Sequence, residues 1–288
     1  PAESRCCAEE RRPWPACSRT AERVPFTPSH AIVALPFARG PLRPAAVAVG
    51  AMTPDLPLFV RASPLTYGMT HSFAWLPATV FLALALLIVW RGVLRPAARD
   101  LSPAWLAVRL PAGWEAGAVP SALGVFAMRG RGRPSLPGAA LVVVALVIGV
   151  ATHINHLGLV HARGRVGTDI LPVLDAMWGP LAGYKWWQYG SSAGGLLVLA
   201  ICALAWLRRA RITPFRRSIP GWAAVAWGIA LPVILVVAWV GGLLAFGPFT
   251  AGYTPQHLAY RVLPPACAAW AMVTLVLCTV IGWRRARS

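Results

Sequence analysis

Six histidines and a few carboxylates are the residues of this 288-residue chain whose types and spacing suggest chemistry. His153, His156 and His161 recur along one apolar stretch, GVATHINHLGLVH. At about 100° per residue, His156 lies roughly 60° to one side of His153 and His161 roughly 80° to the other. All three can face one cavity if the helix continues past Gly158. His30, Asp55 and His71 offer further donors from the preceding segment. Neutral imidazole together with carboxylate suits zinc and other late divalent metals. The candidate metal site is therefore drawn from His30, Asp55, His71, His153, His156 and His161, with a divalent cation, zinc first, as the implied cofactor.

Plainer duties compete with this chemistry. Asp55, two residues after Thr53, favours a helix N-terminus through the helix dipole. His71 and His161 read equally as interfacial residues, and His153 as a helix-packing hydrogen-bond donor. His257, in the loop GYTPQHLAYR, reads as solvent-exposed. Other catalytic patterns are weak. Ser191-Ser192 lacks a nucleophile elbow, and GRGR and GPFTAG match neither a P-loop nor a dinucleotide fingerprint. No paired intramembrane carboxylates point to a proton-coupled transporter.

The elements that must position these side chains follow from composition. Apolar residues make up 57% of the chain and charged ones 12%, too few charges to cover a soluble protein of this length. Five stretches are long and apolar enough to cross about 30 Å of hydrocarbon: 73–90, 138–159, 186–207, 222–246 and 264–283. Residues 24–72 are apolar but interrupted by proline and arginine. Thr27-Pro28 and Thr53-Pro54 each read as a helix start with Thr as cap, and the pieces between suit short helices packed against or dipping into the membrane, with one spanning helix here as the alternative. The predicted fold is an all-α polytopic helical membrane protein, a single membrane domain over residues 24–288. Residues 1–23 have no apolar core and read as a disordered extension or a start-site artefact, with Val24 as the sensible start.

Charge sets the orientation. The net charge of +18 rests on arginine, Lys185 being the lone lysine. With the abundance of Ala, Gly, Pro and Trp, this suggests a genome of high GC content. Arginines cluster after the first span (Arg91 to Arg133), after the third (Arg208 to Arg217) and after the fifth (Arg284 to Arg287). The opposite loops hold Arg163, Arg165, Lys185 and Arg261. The arginine-rich loops and the C-terminus are accordingly expected in the cytoplasm, within the cell membrane, with all six histidines and residues 24–72 outside. No basic tract interleaves with aromatics, so the expected partner is the lipid bilayer and not nucleic acid. Cys6, Cys7 and Cys17 lie in the tail, while Cys202, Cys267 and Cys278 lie inside spans as small packing residues.

The stretches VPFTPSHAIVALPF, GAMTPDLPLFVR, THSF, GVATHINHLGLVH and KWWQYGSSAGGL resemble a bacterial family of membrane proteins without an assigned activity, domain-of-unknown-function family 4184. The resemblance covers residues 24–288 and implies a multi-pass membrane protein. More distantly, the chain is similar to membrane proteins labelled metal-dependent hydrolases, which share a His, a Pro-Asp and a Thr-His in this order. That likeness implies roles for His30, Asp55 and His71. It also aligns His153 and His161 with the outer histidines of a pattern resembling HxxWDxFTH. Here the Trp-Asp positions hold His156 and Leu157, and the Thr position holds Val160. Either His156 substitutes as a ligand or the site is degenerate. The function implied is a metal-dependent, hydrolase-like membrane protein acting on a lipid or envelope substrate; the alternative is a non-enzymatic membrane protein with structural histidines.

Reporter fusions test the orientation. Fusions after Arg133, Arg217 and Ser288 should report cytoplasm, and fusions near Gly167 and Tyr253 the opposite side; a reversed pattern would overturn the assignment.

Overall fold

A computed structural model describes residues 27–60, 64–128, 130, 132–160, 172–174, 176–250 and 252–287. The expectations for residues 1–23, for Cys6, Cys7 and Cys17 and for His161 lie outside these. The described chain is almost entirely helical. A 3₁₀ helix over Thr27–Ala38 precedes α1 (Pro44–Met52), α2 (Leu56–Phe59) and α3 (Tyr67–Thr70). α4 (Leu76–Val89) passes through a π turn at Trp90–Leu94 into α5 (Arg95–Leu101). The short α6 (Ala104–Ala107) and α7 (Ala118–Leu123) lead to the long helices α8 (Leu136–Val160), α9 (Gly183–Arg209), α10 (Gly221–Phe246) and α11 (Pro255–Arg287). One two-residue antiparallel ribbon, β1 (Met177–Trp178) with β2 (Leu181–Ala182), precedes α9.

Among the described residues, five helical stretches are long and apolar enough to cross a membrane: Phe73–Leu101, Leu136–His156, Gly183–Arg209, Gly221–Phe246 and Pro255–Arg287. The fold is thus an all-α polytopic membrane protein with short N-terminal helices. Two of its boundaries differ from those read in the sequence. The first long helix does not stop at Trp90, because the π turn carries it on to Leu101. The last begins at Pro255 and not Pro264, running through Pro264 and Pro265. A proline in a long membrane helix is tolerated where neighbouring groups re-satisfy the freed carbonyl.

A third difference concerns residues 24–72, expected on the outer side as short helices packed against or dipping into the membrane. The 3₁₀ helix and α1 instead form a hairpin that enters the bundle. A 3₁₀ helix of 12 residues is long for its kind, and at about 2.0 Å per residue reaches roughly 24 Å. The hairpin turn delivers Arg43 to the arginine-rich end, where its Nη2 donates to the carbonyl of Ala127 at 2.6 Å. Asp55, beyond the far end of α1, returns to the histidine end. Thr53 does not cap a new helix either; its hydroxyl donates back to the Val49 carbonyl at 2.7 Å, keeping the chain helical toward Asp55.

Small residues let this hairpin in. Between helices in lipid there is little hydrophobic drive, and close packing falls to small side chains. Ala46 and Gly50 lie one turn apart on α1; Ala145, Gly149 and His153 lie on one stripe of α8. A Cβ placed on Gly50 would stand 2.6 Å from the Leu146 carbonyl oxygen, and one on Gly149 would collide with the backbone of Val47. Around this crossing Val47, Ala83, Leu87, Val142 and Leu146 form the principal core.

The arginine-rich end is held by two buried charges. Asp100 accepts from the Ser218 amide at 2.7 Å and pairs with Arg285 at 2.8 Å, tying α5 to the α9–α10 loop and to the end of α11. Arg99 donates to the Ala107 carbonyl at 2.9 Å, to Glu115 at 2.5 Å and to the Thr213 hydroxyl at 3.1 Å, with Phe215 over its guanidinium. Pairing is what makes such burial tolerable, since an isolated buried charge costs several kcal/mol. Cys278 packs in this second core as a small apolar residue, whereas Cys202 faces outward.

The backbone contact at Gly149 predicts an inverted glycine effect. Gly149→Ala should lower thermal stability by about 1–3 kcal/mol through overpacking. Gly241→Ala, with open space around its Cβ, should be neutral or stabilising by up to about 1 kcal/mol through helix propensity. Equal responses in a thermal-shift series would remove the close crossing from the account.

Candidate metal centre

Four elements deliver polar side chains to one buried point. His30 comes from the 3₁₀ helix, Asp55 from the turn after α1, His71 from the end of α3 and His153 from α8. Asp55 is wholly buried at the N-terminus of α2, where it makes no side-chain cap bond. His153 is also buried, and His30 nearly so.

Backbone carbonyls orient the imidazoles. Nδ1 of His153 lies 2.7 Å from the Ala51 carbonyl oxygen, and Nδ1 of His71 lies 2.7 Å from that of Tyr67. A carbonyl only accepts, so each Nδ1 carries the proton, and in each neutral ring Nε2 is left with a lone pair. The close crossing of α1 and α8 is what puts the Ala51 carbonyl within reach. Thr70 braces the other ring: its hydroxyl lies 3.3 Å from His71 Nδ1 and donates to the Pro54 carbonyl at 2.7 Å. Tyr67 stacks on His71 with ring centroids 3.8 Å apart. Burial, with Asp55 nearby, pushes the Tyr67 phenol well above its ordinary range.

The lone pairs converge. His71 Nε2 and His153 Nε2 are 3.0 Å apart, and Asp55 Oδ1 is 3.6 Å from the first and 3.5 Å from the second. Three electron-rich atoms so placed repel one another unless a proton or a cation lies among them. A triangle with sides of 3.0, 3.5 and 3.6 Å has a circumscribed radius of about 2.0 Å, the length of a zinc–nitrogen or zinc–carboxylate bond. One ion can therefore reach all three donors without moving them. His30 stands beside them: a nitrogen of its ring, an Asp55 oxygen and a His153 nitrogen lie within 4.8 Å of one another. Its Nε2 is buried without a hydrogen bond. Nδ1 of His71 and Nδ1 of His153 are each fixed by a carbonyl, the support that metal-binding histidines commonly have.

The other sequence-predicted residues divide. His156 sits beside the cluster, its ring centroid 5.2 Å from that of His30, but its Nε2 faces Ser191 Oγ on α9 at 3.2 Å. His257, expected on an exposed loop, is half-buried in the first turn of α11, where Nδ1 accepts from the Thr254 amide at 3.2 Å. It takes no part in the cluster. Sequence reasoning missed Tyr67, Thr70 and Ser191; Ser191 was legible only as a small polar residue within QYGSSAGG.

These features define a helical polytopic membrane protein with a buried His/Asp cluster between its N-terminal hairpin and α8. Residues 24–283 match the family described as Domain of unknown function (DUF4184), and the chain belongs to that family. No curated protein and no solved structure matches it.

Proposed function

We propose that the protein binds one divalent metal ion, zinc first, through His71, His153 and Asp55 with His30 as fourth donor, and that the ion serves hydrolysis of a lipid or envelope substrate. The observation that carries the reading is the triangle of Nε2, Nε2 and Oδ1 atoms with its radius of about 2.0 Å. Two neutral histidines and a carboxylate form a donor set of the type that holds catalytic zinc. Bound there, the ion supplies Lewis acidity to polarise a carbonyl or phosphoryl oxygen and to make water acidic near pH 7. The chain's own residues then have distinct tasks. Ala51 and Tyr67 hold the imidazoles by their carbonyls, and Thr70 fixes the turn carrying His71. His156 and Ser191, hydrogen-bonded beside the cluster, can pass a proton to or from a bound substrate. The order His30, Pro54-Asp55, Thr70-His71 supports the hydrolase side of the reading through the resemblance described above.

One observation favours a rival reading of structural histidines. The His153–Ala51 hydrogen bond pins α1 to α8 and would be useful with no metal at all.

Metal retention separates the two. Protein purified in mild detergent should hold about one equivalent of divalent metal, and His71→Ala, His153→Ala or Asp55→Asn should abolish retention. His257→Ala should leave it unchanged. His156→Ala should keep the metal with an affinity loss no greater than the roughly 10–100-fold of outer-shell changes. Wild-type protein that holds no metal after zinc loading, yet loses thermal stability on His153→Ala, would establish the structural reading. Chelator-sensitive lipid hydrolysis, restored by zinc, is the expected activity; metal retention without it would confine the proposal to binding.

A further inference from the structure

The arginines of the arginine-rich end are not all used alike. Arg99 and Arg285 meet Glu115 and Asp100, and Arg217 donates to the carbonyls of Asp100 and Ser102. Those are the carboxylates at this end among the described residues, and both are already engaged. Arg91 and Arg95 differ. The Nε of each is buried without a hydrogen-bond partner, while Arg95 lies over the Trp114 ring and Arg43 gives its Nη2 to the Ala127 carbonyl. Arg43 from the hairpin turn and Arg91 from the π turn line one cleft with like sign, and Arg95 follows one turn further along. An anion between like charges would offset their repulsion.

A cleft lies at this spot. It has a volume of about 140 Å³ and is lined by Arg43 and Arg91 together with Pro44, Ala45, Ala46 and Leu87. Arg43 and Arg91 are the charged residues of its lining, and the other four are apolar. Arg91 stands on a π turn, an insertion that often marks a functional position.

We propose that this cleft binds a phosphate group, carried by an anionic phospholipid headgroup or by free phosphate. Guanidinium pairs bind phosphate in a forked, charge-assisted manner, and basic pockets between membrane helices take lipid headgroups. The cleft lies where the apolar span of α4 gives way to its arginines, the level at which headgroup phosphates sit, and its alkyl wall suits the glycerol end of a lipid. The inference rests on the membrane-spanning fold and is independent of the metal reading.

The test uses the full-length protein in mild detergent with three probes: dihexanoyl phosphatidylglycerol, dihexanoylglycerol, which lacks phosphate, and inorganic phosphate. Phosphatidylglycerol should raise the thermal midpoint saturably and dihexanoylglycerol should not. Arg91→Gln should weaken the apparent affinity roughly tenfold or more, the loss expected for one charge-assisted fork. Arg209→Gln, at an exposed arginine of the same end, should change it less than about twofold. Inorganic phosphate acting at the same concentrations would identify free phosphate as the ligand; phosphatidylglycerol acting alone would identify the headgroup. The variant relieves like-charge repulsion, so its midpoint without ligand should equal or exceed that of the wild type. Should Arg91→Gln not fold, Arg91→Lys keeps the charge and loses the fork, and its affinity should still fall several-fold. No saturable response to either phosphate probe, or equal affinities in the Arg91 and Arg209 variants, would overturn the proposal.

Discussion

Gly50 and Gly149 allow two backbones to touch, and the architecture of the histidine end depends on that contact. In lipid the gain from burying apolar surface between helices is small, so α1 is held by dispersion and by fit. The fit requires small residues one turn apart on both partners, which Ala46 with Gly50 and Ala145 with Gly149 provide. The next residue down the α8 stripe is His153. Because the helices lie so close, its Nδ1 meets the carbonyl of Ala51 at 2.7 Å. One steric fact thereby sets the tautomer of a buried imidazole and aims its remaining lone pair at Asp55.

The two ends of the bundle solve the problem of buried polarity in opposite ways. At the arginine-rich end, carboxylates and guanidinium groups neutralise one another: Asp100 with Arg285, Arg99 with Glu115. These contacts join α5, the α9–α10 loop and α11 and leave Asp100 and Arg99 satisfied. At the histidine end the groups brought together are all donors of electron pairs. A cluster of that kind within an apolar bundle is costly unless a proton or a cation offsets it, whereas the ion pairs opposite need nothing added.

The long 3₁₀ helix makes this division workable. With Pro28 and Pro36 along it, the segment suits the stretched 3₁₀ winding over an α-helix of equal length, so that few residues carry the chain far. It brings His30 to the cluster at one end and leads to the Arg43 turn at the other. Packing against α9 at Gly195, whose missing side chain admits Ser29, keeps it within the bundle.

Much was legible in the amino-acid order itself. Five apolar runs separated by more polar loops specify five helices long enough to cross a membrane, since run length against hydrocarbon thickness is a one-dimensional property. The donors His30, Asp55, His71 and His153 were likewise recognisable as a group, because ionisable residues in apolar surroundings stand out by composition alone. Helical periodicity placed His156 on the same side as His153, and the fold sends its Nε2 to Ser191 on another helix. The depth of the hairpin was beyond reach, because two pieces each too short to span look peripheral until a stripe of small residues on α8 receives them. So was the pairing of Asp100 with Arg285, separated by most of the chain. Periodicity tells which residues share a face of one helix; only packing in three dimensions decides which face of which neighbour they meet, and here backbone-to-backbone fit at two glycines made that choice.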